Sequence, residues 1–242
     1  MPRRKTIVVA INAVFVVNPN AKVEFLKALQ DQIIEATSIN HDDSTKPTVL
    51  QFVLGEDLDE EGTFHCHWKY ECVSNPNEVI PNVPPLVWET NPTAEWRRLQ
   101  ETSSLLAPPI YHAWTPKTTT ARRNAPFNPK HISPGTTTFC LNASLYIHPD
   151  HREELLSLLE YAQCQSIQEP LCVEYQYGES LTIPNTFHVH QRYLGRDGGK
   201  EGFDLHATTS HYQKWKQFAS NKARFTQETV GYTFRNHRPD IN

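Results

Sequence analysis

Residues 5–17 form a nearly continuous apolar, β-branched run (Ile7, Val8, Val9, Ile11, Val14, Val16, Val17), which predicts a first strand. Pro19-Asn20 then opens a helix to about Ser38, with Val23, Leu26, Leu29 and Ile33 at helical spacing. Strands follow over 48–54 and 63–71, flanking an acidic turn at Glu56–Glu61. A proline-rich stretch (Pro76, Pro81, Pro84, Pro85) leads to a short helix near Thr93–Thr102 and a closing strand over 109–114. The order then recurs: strand 137–147, helix 150–164, strands 171–178 and 186–194, helix 206–220 and strand 228–235. Asp150 with Glu153 suggests the cap at the start of the second copy's first helix. Between the copies, 115–135 carries Thr118-Thr119-Thr120, Arg122-Arg123 and four prolines, and reads as an irregular linker.

The recurrence is visible residue by residue. GEDLDEEGTFHCHWKY at 55–70 and GESLTIPNTFHVHQRY at 178–193 share eight identical positions without a gap, including His65/His188, His67/His190 and Tyr70/Tyr193. Unrelated segments of average composition share roughly one. Upstream, Asn12-Ala13 and Pro19 reappear as Asn142-Ala143 and Pro149, and Phe25, Leu26 and Leu29 match Leu155, Leu156 and Leu159. The offset is 130 there and 123 in the later block, so the first copy holds seven extra residues, assigned to the polar run Asn40–Thr45. The chain is a tandem of two homologous modules.

A βαββαβ order in about 110 residues is the ferredoxin-like pattern, α+β in class, with helices on one face of an antiparallel sheet. The strands are apolar at both parities (Val14 and Val16; Phe15 and Val17), so the second face also needs cover. The other module's sheet is the simplest cover, which predicts an intramolecular dimeric α+β barrel. The expected divisions are a first module over 1–116, a linker over 117–135 and a second module over 136–242.

The bulk properties narrow the partners. A net charge of -4 argues against nucleic acid or an anionic membrane as the main partner. The apolar run behind Arg3-Arg4-Lys5 is broken by Asn12 and Asn18, too short for a signal peptide or a membrane span, and a cytoplasmic location is expected. Five cysteines with no C-x-x-C pair suit free thiols better than a disulfide framework. Cys66 stands between two histidines, but its counterpart is Val189, so it reads as an apolar strand residue.

Three stretches of the second module resemble the antibiotic biosynthesis monooxygenase superfamily. Glu169-Pro170-Leu171-Cys172-Val173-Glu174-Tyr175 is similar to the family's E-x-G-C-x-x-Y, with Leu171 in place of glycine. Phe187-His188-Val189-His190-Gln191-Arg192-Tyr193 resembles the strand ending in E-x-W/Y, with Gln191 in place of glutamate. His206-Ala207-Thr208-Thr209-Ser210-His211-Tyr212 is similar to the helix start H-x-x-[ST]-x-H-[FYM]. The first module shows the likeness weakly: Trp88–Leu99 occupies the helix position without either histidine. The resemblance implies a dimeric α+β barrel, here within one chain, as a monomer or as a homodimer of such chains. It also implies a small hydrophobic or aromatic ligand, and an activity of the cofactor-independent monooxygenase or isomerase type in an apolar pocket, so no cofactor is expected.

Cofactor-free oxygenation needs a substrate that can become an electron-rich anion, a base to form it and donors to hold it. His188, His190, His206 and His211 are the candidate bases, since imidazole titrates near neutrality, with Asn142 and Tyr193 as donors. His188 and His190 share one face of their strand. His206 and His211 lie about 140° apart on a continuous helix, which would put only one of them at the pocket. The alternative is that these are barrel-lining side chains satisfied by hydrogen bonds, in a module that binds a ligand or a protein without catalysis. Heme degradation is disfavoured: of that branch's functional positions only the first-strand Asn is present, and the other two align with His206 and Lys216. A metal reading would require the two His-x-His pairs to converge, and none is expected. Glu56 and Glu179 each belong to a separate module, so turn solvation or an ion pair with Lys69 or Arg192 is expected rather than a carboxylate dyad.

Overall fold

A computed structural model describes residues 5–37, 48–57, 60–74, 94–102, 104–117, 136–221 and 225–235. The proline-rich stretch over 75–93, the inserted run Asn40–Thr45 and most of the linker lie outside the described residues. Two compact units divide between Ala113 and Trp114.

In the first unit β1 (Lys5–Val16) pairs antiparallel with β3 (Thr63–Ser74), from Lys5↔Ser74 to Val16↔Thr63. The other side of β3 pairs with β2 (Thr48–Asp57), with a register shift between Val49 and Gln51. Asn18 caps a single 3₁₀ turn at Pro19–Ala21 by accepting from the Asn20 amide, and α1 (Lys22–Thr37) follows directly. Proline fits this first turn because no amide is required there. The unit also holds α2 (Ala94–Glu101) and the start of β4 (Ile110–Pro116). Its core is aromatic: Phe15, Phe25, Trp68 and Trp96 are fully buried, with Leu29 and Leu99 beside them.

The second unit begins with the end of β4, whose residues 114–116 pair antiparallel with β6 (Cys172–Ser180). The strand therefore runs two residues past its predicted end, into what reads as linker. β7 (Thr186–Tyr193) pairs with β6 and β5 (Thr137–Ile147), and β5 with β8 (Phe225–Arg235). Order β8-β5-β7-β6 with helices α3 (Arg152–Ser166), α4 (Lys200–Ala207) and α5 (Ser210–Ala219) is the ferredoxin-like arrangement. The two βαββαβ modules read from the repeat are both present. Gly178 is where β4 comes close: a Cβ there would stand 2.0 Å from the Thr115 carbonyl oxygen.

Two local expectations are corrected. His148, not Asp150, caps the second copy's 3₁₀ turn, its Nδ1 accepting from the Asp150 amide at 3.4 Å. Glu56 and Glu179 pair with Lys22 (2.6 Å) and Arg152 (2.7 Å) rather than with Lys69 or Arg192. Lys22 and Arg152 occupy equivalent positions at the helix starts, so this ion pair is itself duplicated. Arg192 is instead drawn to its own strand neighbour, donating from Nε to Thr138 Oγ1 at 3.1 Å.

Candidate functional site

Parity along the strands divides the second module's sheet into two chemically distinct faces. Leu141, Ala143 and Leu145 of β5, Tyr175 of β6 and Val189 of β7 point toward the helices. With Leu159 and Ala162 of α3, Phe203 of α4 and Trp215 of α5 they wall a cavity of about 110 Å³. A water needs roughly 10–15 Å³ on this measure, so the space admits several waters or a small flat molecule. Its polar lining comes from His206, His211, Tyr212, Gln191, Gln227 and Thr229.

The two helical histidines reach this cavity together, contrary to the 140° expectation. The predicted helix over 206–220 is two helices. α4 ends at Ala207, and Thr209 starts α5 by accepting the Tyr212 amide on its hydroxyl at 3.4 Å. A threonine that satisfies an orphan amide favours a new helix start, and the break re-aims His211. His206 Nδ1 donates to Glu169 Oε1 at 2.9 Å, and His211 Nε2 stands 2.8 Å from the same oxygen. The two ring nitrogens are 3.4 Å apart. Ser166 Oγ and Thr209 Oγ1 lie 3.3 and 3.1 Å from His211 Nε2.

Both imidazoles are buried, while Glu169 is half-buried at the cluster's edge. Burial lowers the His211 pKa below its usual value and the adjacent His206 lowers it further, against the opposing pull of Glu169. An aromatic collar surrounds His206, with ring centroids of Tyr212 at 5.2 Å, Tyr193 at 5.4 Å and Tyr175 at 6.1 Å. Burial raises the phenol pKa of both Tyr193 and Tyr175, so they act as neutral donors. The Tyr193 hydroxyl donates to Gln191 Oε1 at 2.8 Å, fixing the amide that borders the cavity.

His188, His190 and Asn142 lie on the opposite face of the sheet. They alternate with Phe187, Val189 and Tyr193 of the apolar cluster on the helix side. His190 Nδ1 donates to Asn142 Oδ1 at 2.8 Å, and His190 Nε2 is 3.7 Å from Glu174 Oε2. Ser144 Oγ and His188 Nδ1 are 3.0 Å apart. The same bond occurs in the first module, where His67 Nδ1 donates to Asn12 Oδ1 at 2.8 Å. Of the six sequence candidates, the structure thus brings His206 and His211 to the cavity, sets Tyr193 behind them against His206 and Gln191, and places His188, His190 and Asn142 in a separate buried polar layer.

Among the described residues of the first module, aromatic side chains occupy the positions that match part of the cavity wall. Gln191, Tyr175 and Leu145 correspond to Trp68, Phe52 and Phe15, which pack ring against ring: Trp68 lies 5.4 Å from Phe52 and 6.1 Å from Phe15. Trp96 closes over Phe15 at 5.7 Å in an edge-on geometry. Trp68 and Phe15, larger than Gln191 and Leu145, take up volume at the matching positions.

Glu169 and Gln191 are the site residues that the candidate set lacked. Both stand in the quoted family-like stretches, but nothing in the spacing joins Glu169 to histidines 37 and 42 residues downstream. Gln191 carried a signal: it is the one polar side chain at the apolar parity of β7, between Val189 and Tyr193.

No curated protein matches the chain by sequence. Among solved structures, a candidate monooxygenase from Fusobacterium nucleatum superposes with a TM-score of 0.66 at 10% identity, covering 94% of this chain and 92% of that one. A candidate monooxygenase from Lactobacillus acidophilus gives 0.61 at 12% identity, covering 96% and 95%. An anthrone oxidase-like protein gives 0.56 at 12% identity, covering 95% and 90%. At these identities the likeness establishes the fold, and it extends over both modules. Among the described residues no helix is long and apolar enough to cross a membrane. Residues 138–217 match the model of the antibiotic biosynthesis monooxygenase family, and that span holds nearly all of β5 to α5, the Glu169–His206–His211 cluster and all of the cavity lining except Gln227 and Thr229 of β8. The second module of this chain is where the likeness to the antibiotic biosynthesis monooxygenase domain lies.

Proposed function

We propose that the second module is a small-molecule enzyme of the cofactor-independent monooxygenase or isomerase type, with the first module as its scaffold. The observation that carries this reading is a cavity with apolar walls on one side and an ionisable corner, His206–Glu169–His211, set in a collar of tyrosines. A weakly acidic phenol or enolisable ketone would enter the apolar space and present its proton to an imidazole. The carboxylate of Glu169 would stabilise the imidazolium that forms. Gln191, held by Tyr193, and Tyr212 supply donors for the substrate oxyanion. In the oxygenase case the anion reduces O₂ directly. One oxygen atom enters the product, the other leaves as water, and the substrate loses two hydrogens. In the isomerase case the same base returns the proton at a second carbon.

The test uses a panel of electron-rich phenols together with anthrone, incubated under ¹⁸O₂ with a chelator present. Expected is a product carrying one ¹⁸O, or carbon–deuterium exchange in D₂O for the isomerase case, reduced at least 100-fold in His206→Ala. Turnover unaffected by both His206→Ala and His211→Ala would sink the reading.

A further inference from the structure

We propose that Glu169, His206 and His211 form a binding site for one divalent first-row transition-metal ion. Three ligand atoms converge: Glu169 Oε1 is 2.9 Å from His206 Nδ1 and 2.8 Å from His211 Nε2, and the two nitrogens are 3.4 Å apart. Atoms bound at about 2.1 Å to one ion, roughly 90–109° apart, stand about 3.0–3.4 Å from one another. The observed triangle approaches that size without rearrangement of the chain. Two imidazoles and one carboxylate on one side of an ion are also a ligand set that first-row transition metals favour.

The crowding at His211 points the same way. Its Nε2 has four polar neighbours within 3.4 Å: Glu169 Oε1, Thr209 Oγ1, Ser166 Oγ and His206 Nδ1. A ring nitrogen has one proton or one lone pair to offer, so hydrogen bonding alone serves one of them well. An ion would engage the lone pairs of both nitrogens and the carboxylate at once. Thr209 Oγ1 already donates to the His206 carbonyl at 2.6 Å and accepts the Tyr212 amide, so its bonding does not depend on His211. The cavity beside the cluster supplies the open positions that three protein ligands leave. Both imidazoles are buried, and the aromatic rings around His206 hold it in place, which limits the ordering cost of binding.

The site stands apart from the acid–base reading, but it bears on it. An ion on His206 Nδ1 and His211 Nε2 leaves the proton of each ring on its other nitrogen, so the loaded corner cannot accept a proton, and metal would switch off that chemistry.

The experiment is a calorimetric titration of Zn²⁺ into the full chain after chelator treatment, repeated with Glu169→Gln, His206→Ala and His211→Ala. Expected is about one equivalent bound by the native chain, at least tenfold weaker binding in the near-isosteric Glu169→Gln, and loss in either alanine variant. Co²⁺ should show visible ligand-field bands in the native chain that vanish in His206→Ala. Less than about a tenth of an equivalent on the native chain overturns the proposal. So does an affinity unchanged by Glu169→Gln, which would place the ion on other histidines. Far-UV circular dichroism checks each variant's fold, and Glu169→Gln keeps the test decisive if an alanine variant fails to fold. No substrate enters this measurement, so absence of turnover in the phenol panel and absence of metal binding are separate results.

Discussion

Trp96→Ala tests the asymmetry between the modules most directly. Trp96 is fully buried in the first unit, edge-on to Phe15 at 5.7 Å and tilted against Phe25 at 6.4 Å. Truncation removes the transfer free energy of the indole and leaves a cavity that the Phe15 and Phe25 rings resist collapsing. Large aromatic deletions of this kind cost about 3–5 kcal/mol. At roughly 2–4 °C per kcal/mol for a chain of this size, the first unit's unfolding transition should fall by about 6–20 °C. Differential scanning calorimetry reads the shift. Because the hole is apolar, millimolar indole should raise the transition again by occupying it. Below that transition, Zn²⁺ stoichiometry and turnover at the second-module cavity should match the unaltered chain. A fall of less than 2 °C would mean that the aromatic cluster does not hold the first unit together. A fall as large as expected, with the second cavity silenced at temperatures where both units are folded, would refute the division into scaffold and site.

Gly178→Ala places a Cβ 2.0 Å from the Thr115 carbonyl oxygen, which cannot yield as a side chain can. It should cost about 1–3 kcal/mol or more in urea unfolding and expose the amides of 114–117 to hydrogen exchange, whereas Ser180→Ala on the same strand should do neither. Burial of His65 lowers its pKa below 6.5 despite the Asp57 carboxylate at 2.7 Å, so the folded state favours the neutral ring. Its stabilising contribution is complete above pH 6.5 and is lost as pH falls through the folded value. Thermal stability should therefore decline below pH 6.5 and do so less in His65→Gln, and parallel curves would contradict the assignment. Thr209→Ala removes the cap of α5, should cost about 0.5–2 kcal/mol in thermal unfolding, and should weaken Zn²⁺ binding by letting His211 drift. A thiol reagent should label Cys164 first, because the other four cysteines are buried and burial pushes the Cys140 thiol up to about 12. Labelling of Cys66 at the same rate would rule this out.

The fold was legible because the chain states it twice. Eight identities in an ungapped block of sixteen, with matched helix spacing upstream, define the modules independently of any single propensity. The helix break at Thr208-Thr209 was not legible in this way, since residues 200–219 carry helix-compatible spacing throughout and no proline. A threonine hydroxyl captured the Tyr212 amide, and that local bond outweighed continuation of the helix. The same event rotated His211 onto Glu169, so the cluster depends on tertiary geometry that no spacing rule contains. The ion pairs of Glu56 and Glu179 were misassigned for a related reason. Their strand neighbours looked like the partners, whereas helix-start cations brought in by the chain crossover reached them first.

Strand parity separates the strand histidines from the helical ones. In β7 the odd positions Phe187, Val189 and Tyr193 are apolar, and the even positions His188, His190 and Arg192 are polar. An apolar parity must face the helices of its own module, because that is where an amphipathic helix buries its stripe. On that argument the duplicated histidines belong to the far face in both copies. The repeated Asn–His bond at 2.8 Å is what holds them there. A feature present in both halves, one of which has its cavity filled by Trp68, Phe15 and Trp96, answers a requirement that both halves share, and that requirement is the fold. Chemistry specific to one half has to come from residues that differ between the halves. Gln191 against Trp68, Tyr175 against Phe52 and the unmatched pair His206 and His211 are those residues, and they line the cavity of the second module.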